Sequence, residues 1–92
     1  MKELSQEGKK ALIKRSHDLH AVVMIGNKGL TDAVNNEIEI ALNAHELIKI
    51  KIAGQDREQR SAVFKTISET HTAHLVQEIG MTGIFYRKNE EK

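Results

Sequence analysis

With 92 residues, no proline and no cysteine, the chain is a single domain that neither disulfides nor a thiolate metal site can staple. Its 39% hydrophobic and 29% charged residues are the balance of a folded chain and exclude a disordered one. A net charge of +1 excludes polyanion binding by bulk charge, so any phosphate-binding surface must come from local clustering.

The first residues, Met1-Lys2-Glu3-Leu4-Ser5-Gln6-Glu7, have no apolar stretch like that of a signal peptide. No apolar run approaches the roughly 20 residues that span a bilayer. The expected setting is therefore the cytoplasm, with no membrane partner.

Residues 5–18 are expected to be helical, with Ser5 as N-cap. Leu4, Ala11, Leu12 and Leu19 share one side at helical spacing, and Lys10, Lys14 and His17 fall on the other at i, i+4, i+7. Ala21-Val22-Val23-Met24-Ile25 is a continuous β-branched run that suits a central strand. Gly26 ends it. Thr31 is placed to cap a second helix from about Asp32 to Asn43, with Val34, Ile38, Ala41 and Leu42 as its apolar stripe.

Leu47-Ile48-Lys49-Ile50-Lys51-Ile52 alternates with period two, so the isoleucines point one way and the lysines the other. Asp56 followed by Gln59 reads as a capping box that starts a third helix near Arg57, with Val63, Phe64 and Ile67 buried. Leu75 to Ile79 and Gly83 to Lys88 read as two strands joined by a hairpin turn. The tail Asn89–Lys92 is polar and is expected to fray. The order α-β-α-β-α-β-β implies right-handed crossovers, a parallel pair and a closing antiparallel pair. The expected fold is an α/β domain of the α+β two-layer type, with a mixed four-stranded sheet.

The segment that carries chemistry is Gly26-Asn27-Lys28-Gly29-Leu30-Thr31, between a strand and a helix N-terminus. Unpaired amides and the helix dipole favour an anion there. Flanking glycines let a phosphate reach the backbone, and Lys28 adds a mobile charge. The GxxG loop of KH domains clamps a nucleic-acid backbone in this manner. The same spacing also serves an ordinary turn with a glycine at each bend. Asp32 sets a negative charge beside the site.

Further cations that could converge on a phosphate backbone are Lys9, Lys10 and Lys14 on the first helix, Lys49 and Lys51 on one strand face, and Arg87 and Lys88 at the last strand. Each is equally a solvated surface residue when taken alone. The histidines, in pairs His17/His20 and His71/His74, lack matching carboxylate or cysteine spacing, so structural or surface roles are expected and no metal. No nucleophile–base pair, HExxH or Walker loop occurs. The aromatics are Phe64, Phe85 and Tyr86, too few for base stacking on an aromatic platform.

The ordered strings Val22-Val23-Met24-Ile25-Gly26-Asn27-Lys28-Gly29-Leu30-Thr31, His45-Glu46-Leu47-Ile48-Lys49, Asp56-Arg57-Glu58, Ile79-Gly80, Thr82 and Tyr86-Arg87 resemble the CRM domain (chloroplast RNA splicing and ribosome maturation) in its single-domain bacterial, YhbY-type form. The resemblance runs over nearly the whole chain. It implies a fold similar to the C-terminal domain of translation initiation factor three, and an RNA-contacting loop at Gly26, Asn27, Lys28 and Gly29. It also implies association with precursors of the large ribosomal subunit for bacterial members, and help with intron splicing for plant members. Many relatives carry the loop's basic residue directly after the first glycine. Here Asn27 holds that position and the lysine follows it.

The expectation is a monomeric RNA-binding protein that acts on ribosomal RNA in a large-subunit precursor by binding and not catalysis. It needs no cofactor and no small-molecule substrate. Its contacts would be Gly26, Asn27, Lys28, Gly29 and Thr31, extended by the lysines and by Arg87. Two alternatives remain at this point. One is a protein-docking module that uses the acidic side of the second helix, Glu37 and Glu39. The other is a generic single-stranded nucleic-acid binder.

Overall fold

The computed structural model describes residues 4–89. The first residues and most of the polar tail expected at 89–92 lie outside the described residues. The elements run α1 (Gln6–Ser16), β1 (Ala21–Ile25), α2 (Asp32–His45), β2 (Leu47–Ile52), α3 (Arg57–His71), β3 (His74–Ile79) and β4 (Thr82–Tyr86).

Local chemistry sets the helix starts. Ser5 Oγ accepts from the Gly8 amide at 2.9 Å, and Thr31 Oγ1 accepts from the Val34 amide at 3.2 Å. Asp56 and Gln59 cap each other in both directions, at 2.9 and 3.1 Å. Each cap satisfies an amide that the first helical turn leaves without a carbonyl partner.

The sheet order is β1-β2-β4-β3. β1 pairs parallel with β2, and β4 pairs antiparallel with both β2 and β3. Three strands therefore run one way and β4 returns between two of them. One end of the sheet collects the β1–α2 loop, the β2–α3 loop and the β3–β4 turn. Backbone bonds from Ala53 N–H to Ile25 O (2.9 Å) and from Ile52 N–H to Met81 O (2.8 Å) tie these three together.

The main core lies between one sheet face and the helices α2 and α3. Ile48, Ile50 and Ile52 meet Val23, Ile25, Ile38, Leu42, Phe64, Ile67 and Phe85 there. The Phe64 and Phe85 rings are tilted at 56° with centroids 5.8 Å apart, an edge-to-face arrangement that aromatic pairs favour. The expected α+β class with a mixed four-stranded sheet is what the chain adopts.

The expected two layers need a correction. α1 packs on the opposite face through Leu12, with Leu4 and Ile13, against Leu47, Val76, Ile84 and Tyr86. The alternation of β2 leaves Leu47 on the lysine side, so that side carries its own small core. The helix stripe also shifts: Ser16 is buried beside Leu12, whereas Ala11 is exposed and Leu19 lies beyond the helix. Ser16 tolerates burial because its hydroxyl donates to Ile13 O at 2.6 Å. β4 ends at Tyr86, short of the expected Lys88.

Candidate nucleic-acid interface

Gly26 to Gly29 form a tight turn, closed by a bond from Gly29 N–H to Gly26 O at 3.1 Å. Gly29 has φ +69, the left-handed region where a Cβ is costly. Gly26 is different. Its φ is not positive, and a Cβ built on it meets nothing within 4 Å. The fold itself therefore has no need of a glycine at 26, and the bare backbone there faces open space.

Lys28 is exposed at the tip of the turn. Asn27 turns back instead, over the β2–α3 loop: a Cβ on Gly54 would collide with its Oδ1. The displaced charge has a geometric sense, since the position after the first glycine leans on the neighbouring loop and the next one points outward. Beyond the turn, the Asp32 and Ala33 amides open α2 and have no carbonyl four residues back within the helix. Thr31 spends an oxygen lone pair on Val34 and keeps its hydroxyl hydrogen for another acceptor.

Lys51 lies near this end of the sheet, between Met24 of β1 and Thr82 of β4, and Lys49 lies one pleat further back, between Ala21 and Ile84. Both are half-buried on the face that α1 shares. Lys10 and Lys14 are exposed, one helical turn apart, and their spacing from buried Leu12 puts them on the far side of α1 from the sheet. Lys9 is exposed near the start of β3. Burial first, and then nearby positive charge that includes Lys9, push the His74 imidazole below its ordinary pKa.

Arg87 departs from expectation. Its guanidinium makes a bidentate pair with Glu39, Nη1 to Oε1 at 2.7 Å and Nη2 to Oε2 at 3.1 Å. It also donates to His71 O at 3.0 Å and Asn43 Oδ1 at 2.9 Å. His71 is buried and completes the network, with Nδ1 2.9 Å from Glu39 Oε1 and Nε2 3.0 Å from Asn35 Oδ1. These bonds join α2, α3 and the segment after β4 at the end of the sheet opposite the glycine turn. Lys88 is exposed at that same far end. Asn89, expected to fray, is held by Glu46 Oε2 at 2.7 Å and Asn43 O at 2.8 Å.

Sequence reasoning missed Arg57. It is exposed at the start of α3, and because β1 and β2 are parallel, that helix opens at the same end of the sheet as the glycine turn. The alternation of βα units was the signal that could have found it. Glu39 and His71 were missed as partners of Arg87. Among the described residues, no three His, Cys, Asp or Glu side chains assemble as a metal site, and no helix is long and apolar enough to cross a membrane.

A small α+β domain with an exposed lysine in a glycine turn at a helix N-terminus is a scaffold that presents unpaired backbone amides and a positive charge at one end of its sheet. Residues 4–87 match the CRS1/YhbY (CRM) domain, and the chain belongs to that family. It is similar to an RNA-binding protein of Haemophilus influenzae, with 46% identity over 91 residues, 99% of this chain and 92% of the relative. A protein of Pseudomonas aeruginosa named as a probable RNA-binding protein is 42% identical over 86 residues, 94% of this chain and 83% of the relative. The probable RNA-binding protein YqeI of Bacillus subtilis is 30% identical over 88 residues, 96% of this chain and 92% of the relative. The solution structure of the hypothetical protein SAV1595 of Staphylococcus aureus, offered as a candidate RNA-binding protein, matches with a TM-score of 0.83 at 26% identity, over 96% of this chain and 92% of that one.

Proposed function

We propose that the protein binds ribosomal RNA in large-subunit precursors and acts in ribosome assembly by binding, without catalysis. The observation that carries the reading is Gly26: a glycine that neither backbone conformation nor packing requires, next to an exposed lysine and the open end of α2. A phosphate oxygen approaching the backbone is what such a residue admits. The relatives' names support RNA as the polyanion.

In this reading the amides of the turn and of the first turn of α2 hold one phosphate, and Lys28 neutralises it. Lys51 and Lys49 extend the contact along the α1-side face, and Lys9, Lys10 and Lys14 add a weaker field from the helix layered on it. Arg87 is left out, because both terminal nitrogens of its guanidinium are spent inside the fold. The same pairing weakens the protein-docking alternative. Glu39 is half of an internal ion pair, so the acidic side of α2 offers mainly Glu37.

The test is sedimentation of a tagged copy through a sucrose gradient of cell lysate at low salt. The tag should run with the large subunit or its precursor and leave as salt is raised, since phosphate contacts release counterions. A tag that stays at the top at every salt concentration sinks the ribosomal assignment.

A further inference from the structure

α1 covers the end of its sheet face that carries Leu47, Val76, Ile84 and Tyr86. Among the described residues, nothing covers the end nearer the glycine turn. There the strand register sets Met24 beside Lys51, Lys51 beside Thr82, and Thr82 beside Ile79. One row thus crosses all four strands, and at about 4.8 Å per strand it is roughly 14 Å wide. Both of its ends are apolar and open: Met24 is 59% and Ile79 53% exposed. Met81, 43% exposed, stands in the turn just past them. Behind the row a shallow cleft of about 300 Å³ opens between His20, Lys49, Ile79 and Thr82.

Among the described residues of the four strands, this face carries lysines and no carboxylate. The only carboxylate in the strands, Glu78, faces α3, where its Oε2 accepts from Ser61 Oγ at 2.8 Å. Large apolar side chains held in the open beside unopposed cations are not what a purely solvated sheet face carries, because such faces alternate to polar residues. They suit a ligand that is anionic along one edge and flat and apolar along another. Unpaired nucleotides are such a ligand. Their bases can be splayed out and laid on apolar side chains, whereas a paired stem offers only phosphates, sugars and base edges. A second copy of the chain fits less well, since a symmetric pairing would bring the lysines of both copies to one interface.

We propose that this face is a second RNA contact, continuous with the glycine turn, that takes unpaired nucleotides. Met24, Ile79 and Met81 carry the bases; Lys49 and Lys51 hold the phosphates between them. The proposal rests on the RNA-binding reading and makes it more specific, from phosphate contacts to a preference for a stem that carries a single-stranded break.

The experiment compares two RNAs, a fully paired stem and the same stem interrupted by an internal loop. The proteins are the wild type, the double variant Met24→Ser/Ile79→Ser, and Lys28→Ala. The double variant should lose about tenfold in affinity for the interrupted stem, about 1.4 kcal/mol, and nothing for the paired stem. Lys28→Ala should weaken both. If the double variant binds both RNAs as the wild type does, while Lys28→Ala still weakens both, the face is no RNA contact but the loop reading stands. If Lys28→Ala matches the wild type on both RNAs, the loop reading itself fails and takes this proposal with it. If the double variant keeps its RNA affinities but loses a dimer seen for the wild type by sedimentation, the face joins two copies instead. Photocrosslinking of wild-type protein to thiouridine in the internal loop checks the same point without a variant. Crosslinks should fall on Met24 or on the Ile79–Thr82 segment, and crosslinks confined to the glycine turn overturn the proposal.

Discussion

Asn27 lies over Gly54 so closely that residue 54 can carry no side chain without moving it. The contact joins the β1–α2 loop to the β2–α3 loop, and Gly54 also sits at φ +77. Gly54→Ala should therefore do two separable things. The left-handed backbone costs a residue with a Cβ about 1–2 kcal/mol, which thermal unfolding would read as a lowered midpoint. The displaced Asn27 should shift the glycine turn and weaken RNA binding. Adding Asn27→Gly removes the collision but not the backbone strain, so it should leave the stability loss largely in place. Full recovery of stability in the double variant would show that the collision alone mattered.

Gly26 and Gly29 look alike in sequence and are expected to respond in opposite ways. At Gly26 a Cβ meets open space at an ordinary φ, so Gly26→Ala should leave stability unchanged or raise it by about 0.4–1 kcal/mol through a less flexible unfolded chain. Its RNA affinity should nevertheless fall, since the added methyl stands where a phosphate would approach. Gly29→Ala should lose stability because of its positive φ. Urea titrations and RNA binding on both variants give the comparison. A Gly26→Ala protein with undiminished RNA affinity would reduce the turn to a structural bend.

Arg87→Ala should be a stability variant and not a binding variant. It deletes a bidentate pair and leaves Glu39, His71 and Asn43 with unmet partners, a loss of about 1–3 kcal/mol for a network that is only partly buried. RNA affinity measured well below the unfolding midpoint should stay that of the wild type. A selective loss of RNA binding with stability intact would return Arg87 to the contact surface.

The same network sets a pH dependence. Hydrogen bonds from Arg87, and then from His71, hold the Glu39 carboxyl at about 2, below its ordinary 4.5. A carboxyl depressed on folding stabilises the native state fully above its unfolded value. That contribution is lost as pH falls from about 4.5 through about 2. Urea midpoints across this window should drop for the wild type. Glu39→Gln should start lower at neutral pH and give up less on acidification. Parallel curves for the two proteins would place the acid sensitivity elsewhere.

Much of the fold was legible because its signals are local. Ser5, Thr31 and Asp56 each announce a helix from within four residues, and the alternation of residues 47–52 assigns both faces of β2. What escaped depends on partners far along the chain. Arg87 reads as a terminal surface cation until Glu39, 48 residues earlier, is folded against it. The third layer, over the lysine face, turns on Leu47, whose parity is plain but whose partner, Leu12, belongs to another element. The glycine turn was legible as a motif. That Gly29 answers a backbone need and Gly26 does not became visible only with the φ angles and the space around each.

The lysines can be sorted by the slope of log affinity against log salt. Each phosphate neutralised contributes about 0.7–0.9 to that slope, and a residue that makes no phosphate contact contributes nothing. Lys28→Ala should lower the slope by about one such step, and Lys51→Ala by a similar amount, since both lie toward the same end of the sheet. Lys10→Ala and Lys14→Ala, on the far side of α1 from the sheet, should change affinity at low salt with a smaller change in slope, as charges that steer without docking do. Lys88→Ala and Arg87→Ala, at the opposite end, should leave the slope alone. If instead all these variants lowered the slope equally, the RNA would have to wrap the whole domain, and the glycine turn would lose its place as the centre of the contact.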